Sequence, residues 1–356
     1  MKIVVKVGTQ SILSEQGIPQ EAVLSSIVEQ LVDLQNNKCQ VVLVSSGAVG
    51  FGRSVSRQML GKEYGSDIGE KQVLASLGQH ELMRVYANMF KKHNMLVSQL
   101  LLTKQDFHTR MHYLNIARLI TKILEQRKII PIINENDSVS IEQLMFTDND
   151  ELAGLIAAQI DADKLIILSN IAGVYTGHPN EPDSKLIPVI DPALHWPSIS
   201  TSKSTHGRGG MISKLSTARK VAKLGIMTHI ASIDEPNIVK RIVNNDTVGT
   251  VVLAEKKQSN IKRWIAYSTG QKRGEITVNK CLHDILQEHR RTISLLPVGI
   301  EKCTGNFEKG DIVGILSPDK ELIGIGIAKY NAVKLQELLG QKNQPVFIHY
   351  DHLHIF

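Results

Sequence analysis

Residues 207–214 read GRGGMISK, glycines running into a lysine. Glycines let backbone N–H groups approach phosphate oxygens closely, and the lysine adds a cation, so the stretch suits anion binding. It is not the common nucleotide loop G-x-x-x-x-G-K-[ST], because Ser213 precedes Lys214 and Leu215 follows it. Lys214 stands near the start of MISKLSTARKVAKLG, which has helical spacing. A helix start with one lysine suits a clamp on a transferring phosphoryl group. The Ser, Thr, Lys and Gly crowded into positions 200–210 equally suit an ordinary surface loop.

Lys6 lies in the apolar run KIVVKVG, directly before Val7 and Gly8. A buried ammonium there needs an anion to meet it, and Gly8 leaves room for a ligand against the backbone. The alternative is a strand-end lysine reaching water. Ser45, Ser46 and Gly47 precede AVGFG and offer hydroxyls and N–H groups to a carboxylate or phosphate, or else form a tight turn. The nucleophile elbow G-x-S-x-G is absent, so a nucleophilic serine is not expected. NEND (134–137) and TDND (147–150) supply acids and amides. Asp148 and Glu151 have capping-box spacing, which leaves Asp150 to orient two lysines at a phosphoryl-transfer site. DND is too short for an EF-hand loop. His352 and His354 would share a face if their segment were a strand and could then take a metal, although surface histidines are the commoner explanation.

The elements that must carry these residues are short Val, Ile and Leu runs alternating with amphipathic stretches. Runs at 2–8, 39–47, 128–137 and 162–170 predict buried strands of a mainly parallel sheet. EAVLSSIVEQLVDLQNN, KQVLASLGQHELMRVYANMFKKH, YLNIARLITKILEQR and DELAGLIAAQI predict helices. The fold class is therefore α/β, an αβα sandwich. Each strand ends in Gly, Ser, Asn or Asp, and ligands gather at the carboxyl ends of parallel strands, so these loops can share one site. After a basic connection at 254–264 come the shorter runs GEITVN, ISLLPVGI, GDIVGILS, ELIGIGIAKY and PVFIHYD, which predict a small β-rich domain. The expected division is 1–255, a linker at 256–274, and 275–356.

A length of 356 residues suits two domains. The net charge of +6 is uneven: residues 1–255 hold 26 Lys and Arg against 25 Asp and Glu, residues 256–356 hold 15 against 10. The basic excess in the last hundred residues fits either an anionic partner or a solubilising surface. Cys39, Cys281 and Cys303 form no C-x-x-C pair, which suits a reducing cytosol and argues against structural zinc. No signal sequence and no run of about 18 apolar residues is found, so a cytoplasmic protein without a membrane partner is expected.

VVKVGTQSI, VLVSSGAVGFGR, KQVLASLGQ, QLLLTKQDF, PIINENDSV, FTDNDELA, GVYTGHP and GRGGMISK occur in the order seen in glutamate 5-kinases. Over nearly its whole length the chain resembles that family of the amino-acid kinase superfamily. GEITVNKCL, LLPVGI and TGNFEKGDIV resemble a PUA domain, a module that binds RNA elsewhere. The resemblance implies the amino-acid kinase fold plus a PUA domain. It also implies transfer of the ATP γ-phosphoryl to L-glutamate with Mg²⁺, the first step of proline biosynthesis. By position, Lys6 and Lys214 would bracket the phosphoryl, Asp150 would organise them, and Gly8 and Gly47 would donate backbone N–H groups. Ser46, Asn134, Asp137 and Asn149 match glutamate-binding positions, with Asp137 suited to the substrate ammonium. Lys6, Ser169, Asn170, Arg208, Gly209, Gly210, Met211, Ile212, Ser213 and Lys214 match nucleotide-binding ones, and no protein metal cage is implied. Feedback inhibition by proline, a homo-oligomer (dimer or tetramer) and RNA binding through the PUA domain are further implications.

The chain departs from the family pattern in three places. Ser169 and Asn170 stand for threonine and aspartate, Arg208 for threonine, and GHP at 177–179 for ADP. Two other readings stay open. One is a sister kinase with another acceptor, and the other is a degenerate kinase kept as an RNA-binding or regulatory protein.

Overall fold

A computed structural model of the chain describes residues 1–14, 16–107, 110–139, 146, 148–192, 194, 196–197, 210–256, 272–287 and 293–356. Thr147, Arg208, Gly209 and most of the expected linker lie outside the described residues. The chain forms two compact units, Met1–Lys257 and Gln258–Phe356.

In the first unit, eight strands among the described residues make one sheet in the order β3-β4-β2-β1-β5-β7-β8-β6. The strands are β1 (Lys2–Val7), β2 (Gln40–Ser45), β3 (Leu96–Leu102), β4 (Ile129–Glu135), β5 (Lys164–Ser169), β6 (Val189–Ile190), β7 (Met227–Ser232) and β8 (Thr250–Val252). All neighbours are parallel except β7 and β8. The central strands are buried almost end to end, as their unbroken apolar runs require. From β1 the chain steps outward to β2 on one side, while β5 occupies the other side. The carboxyl end of β1 is therefore a switch point where a crevice opens.

The helices are α1 (Thr9–Ile12), α2 (Glu21–Asn36), α3 (Ala48–Leu60), α4 (Ile68–Lys91), α5 (Arg110–Leu124), α6 (Asn149–Ile160), α7 (Met211–Lys223) and α8 (Ile238–Val243). Five of them match the amphipathic stretches and MISKLSTARKVAKLG, but α3, which follows the turn expected at Ser45–Gly47, is not among the expected helices. Its AVGFG start and two serines weaken the helical pattern, and the reason for them lies in α4. A Cβ on Gly52 would sit 2.0 Å from the Leu74 carbonyl oxygen, and one on Gly78 would sit 1.8 Å from that of Ala48. The glycines are there because the two backbones nearly touch.

In the second unit, β9 (Gly274–Val278), β10 (Ile300–Gly305), β11 (Ile312–Leu316), β12 (Leu322–Ile327) and β13 (Leu353–Ile355) form a sheet in the order β10-β9-β11-β12-β13. Ile276, Val278, Phe307, Val313, Ile315, Leu335 and Phe347 fill its core. Two expected strands differ. ISLLPVGI gives a 3₁₀ turn at Pro297–Gly299 ahead of β10, and PVFIHYD gives an isolated bridge at Ile348 and a second turn at Tyr350–His352. Pro297 has no N–H for a ladder. His352 consequently ends a turn while His354 sits in β13, so the two do not share a strand face. Among the described residues no group of three or more His, Cys, Asp or Glu is gathered as metal ligands would be.

Candidate active site

Lys6 is the next-to-last residue of β1, and the twofold alternation of the strand turns it out of the apolar layer containing Val5 and Val7. Its ammonium meets Asp150 Oδ1 at 2.7 Å, and Lys214 Nζ meets Asp150 Oδ2 at 2.8 Å. Asp150 is fully buried, with Lys6 5% and Lys214 8% exposed. One carboxylate thus bridges two ammonium groups in a buried site, and these three groups together carry one positive charge.

Burial alone would raise the Asp150 carboxyl, but the two lysine charges outweigh it and hold the group below its ordinary value. Burial, assisted by the like charge of Lys214, pulls Lys6 below an ordinary lysine. Asp148 moves up, first through burial and then through the Asp150 charge.

Asp150 is aimed by the start of α6. Asp148 caps that helix, its Oδ1 accepting the Asp150 N–H at 2.9 Å and the Glu151 N–H at 3.1 Å. Glu151, in the same turn, pairs with Lys104 at 3.3 Å. Lys214 is placed by α7, which begins after Gly210. The neighbouring Ser213 side chain partly offsets the upward shift of Asp148.

A cavity of about 510 Å³ opens above these groups. Gly8, Ser46, Gly47, Asp137, Asn149, Ser169, Asn170, Gly210 and Met211 line it beside Lys6 and Lys214. Gly47 has φ +118°, a conformation that glycine enters freely, and it starts α3 at the cavity wall. Asn134 stands behind that wall, 1% exposed, its carbonyl oxygen accepting from Asn149 Nδ2 at 3.0 Å. The same Nδ2 reaches Ser46 Oγ at 2.7 Å. Asn170 Oδ1 accepts from Ser11 Oγ at 2.6 Å, so this departure from the family pattern holds the turn after β1. Ile212 is exposed and does not line the cavity. Arg208 and Gly209 lie outside the described residues.

Sequence reading missed Gln79, whose Oε1 accepts from Asn134 Nδ2 at 2.8 Å, as well as Ser11 and the lining residues Ile68, Lys71 and Gln72, while Glu135 of the NEND stretch also lines the cavity. No local spacing marks the four residues of α4, because that helix reaches the site only through its packing on α3.

Residues 1–232 match the amino acid kinase family and residues 274–346 match the PUA domain. A glutamate 5-kinase of Chlorobaculum tepidum is 42% identical over 99% of this chain and 97% of its own. Another, of Bacteroides thetaiotaomicron, is 40% identical over 99% and 98%. The solved UMP kinase of Bacillus anthracis aligns at TM-score 0.48 and 16% identity, covering 72% of this chain and 96% of that one.

Proposed function

The chain belongs to the glutamate 5-kinase family of amino acid kinases, and from that premise we propose that it phosphorylates L-glutamate with ATP. A γ-carboxylate oxygen attacks the γ-phosphorus as the bond to the β-phosphate oxygen breaks, giving L-glutamyl 5-phosphate and ADP. The buried bridge from Lys6 through Asp150 to Lys214 carries this reading. Phosphoryl transfer needs in-line positioning and stabilisation of charge on the transferring oxygens, with no covalent enzyme intermediate. Two ammonium groups held by one carboxylate supply a fixed positive field where water is excluded, so little reorganisation is needed as charge develops.

We assign residue roles from the resemblance together with placement. Lys6 and Lys214 face the transferring phosphoryl, Asp150 positions both, and Gly8 and Gly47 donate backbone N–H groups. Ser46, Asp137 and Asn149 would hold glutamate on the β2 and β4 side, with Asn134 fixing Asn149. Ser169, Asn170 and the start of α7 would hold the nucleotide on the β5 side, with Arg208 and Gly209 assigned there by resemblance. Mg²⁺ would travel with the ATP phosphates, held largely by them and by water.

The sister-kinase reading is not favoured, since the relatives matched over the whole chain are glutamate 5-kinases. Incubation with ATP, Mg²⁺ and one acceptor at a time, trapping acyl phosphate with hydroxylamine, tests the proposal. Hydroxamate from L-glutamate and none from N-acetyl-L-glutamate or L-aspartate is expected. Turnover only with another acceptor, or with none, would overturn it.

The wider context belongs to the same proposal: proline biosynthesis in the cytoplasm, a dimer or tetramer, and a kinase domain of 1–255 followed by a linker and a PUA domain from 275. Proline shares the α-carboxylate and amine of glutamate, which supports inhibition at the acceptor site; turnover indifferent to millimolar proline would remove that idea. RNA bound through the basic C-terminal unit should be released steeply as salt rises. No helix of the described residues is long and apolar enough to cross a membrane.

A further inference from the structure

Glutamate brings two carboxylates and one ammonium into the cavity, and the assignments above answer only two of these charges. Lys6 and Lys214 meet the reacting end, Asp137 meets the ammonium, and the α-carboxylate has no counter-charge. Resting on the glutamate reading, we propose that Lys71 is that counter-charge and sets specificity for a free α-carboxylate, with Gln72 beside it.

Three observations carry this. First, the opening turn of α4 presents Ile68, Lys71 and Gln72 to the cavity, at the i, i+3 and i+4 spacing of one helix face. Second, Lys71 is the remaining cation among the described lining residues, and it differs from the other two. Lys6 and Lys214 are both locked onto Asp150, whereas the Lys71 ammonium makes no hydrogen bond or ion pair among the described residues. Asp67, one turn earlier, feels its charge, but the Asp67 carboxylate is engaged in capping α4 through the Glu70 N–H at 2.9 Å.

Third, α4 belongs to the acceptor side of the site. It sends Gln79 to Asn134 and packs directly on α3, the helix that starts at Gly47. The residues assigned to the nucleotide come from β5 and α7 instead. A carboxylate entering a partly dry cavity needs a paired cation, and a half-buried lysine with a free head group supplies one without rearrangement of existing bonds. It would also reject an acceptor whose α-carboxylate is masked.

The test compares L-glutamate with its α-amide in the hydroxamate assay, using the full chain and the variants Lys71→Met and Lys71→Arg. Wild-type protein should prefer glutamate strongly. Lys71→Met should raise the glutamate KM roughly 10- to 100-fold, leave the KM for ATP in place, and bring the ratio of kcat/KM for glutamate over α-amide close to one. Lys71→Arg should restore much of the preference. A fold defect would weaken both acceptors alike and leave their ratio unchanged, so the ratio reports on contact. An unchanged ratio in Lys71→Met, or a raised KM for ATP with that for glutamate unmoved, would overturn the assignment. Wild-type protein that makes no hydroxamate from glutamate would overturn the reading on which the assignment rests.

Discussion

The two ends of one sheet each bury a lysine, with opposite results. At the carboxyl end, Lys6 faces Asp150 and Lys214 beneath an open cavity. At the amino end, Lys164 opens β5 at 7% exposure, and its ammonium is met by the Ile242 carbonyl at 2.8 Å and Asn245 Oδ1 at 2.7 Å. Burial lowers both lysines below the ordinary value. Neutral acceptors make Lys164 a structural tie between β5 and the end of α8. A carboxylate bridge and room for a ligand make Lys6 available for chemistry. A buried lysine therefore signals a site only through its partners and the space around it.

Removing the bridge should have the largest effect. Asp150→Ala leaves two buried ammonium groups unpaired and should lower unfolding stability by roughly 3–5 kcal/mol in urea titration, with acyl-phosphate formation abolished. Stability within a few tenths of wild type would mean that the two charges are not held in a dry site. Lys214→Ala should lower kcat by about 10²–10³-fold with smaller changes in KM, because its contact strengthens as charge develops. An unchanged kcat would place the phosphoryl clamp elsewhere.

The amino end should titrate without catalytic consequence. His229, buried and then further repelled by Lys164, has its pKa lowered to about 4. The unfolded chain therefore binds the proton first, and stability should fall as pH drops from about 6.5 towards 4, by on the order of 3 kcal/mol. A flat stability curve over that window would show a hydrated ring. Lys164→Met should cost about 1–3 kcal/mol by stranding its two acceptors, while kcat stays at the wild-type value. A loss of kcat comparable to that of Lys214→Ala would erase the contrast between the two ends. The smallest expected change lies at alkaline pH. With Lys6 lowered, kcat should begin to fall below the pH at which an ordinary lysine loses its proton. Stability should not fall with it, because the unfolded lysine holds its proton longer.

Much of this arrangement was legible in the residues, unevenly so. Val, Ile and Leu runs marked β1, β2, β4 and β5, because strands covered on both faces must be apolar throughout. β3 and β7 were not marked: Ser98 and Gln99 interrupt LVSQLLL, and Thr228 and His229 interrupt MTHIAS. α3 was hidden by the glycines that its contact with α4 demands. The capping role of Asp148 was legible because a cap is local. Gln79, Ser11 and Lys71 were not, since each reaches the cavity from an element distant in sequence from the group it serves.

The sequence by itself determined the parallel α/β class, the polar loops at the strand ends, and the presence of Lys6, Asp150 and Lys214 beside them, because strand periodicity, apolar runs and loop composition are local properties. Tertiary structure alone decided how closely the two lysines approach that carboxylate, how deeply the three groups are buried, and that α4 lays a free lysine along the cavity. Lys214 and Asp150 stand 64 residues apart in the chain. Which charges meet, and whether water reaches them, depends on how crossover helices pack on the sheet, and local sequence carries no measure of that distance.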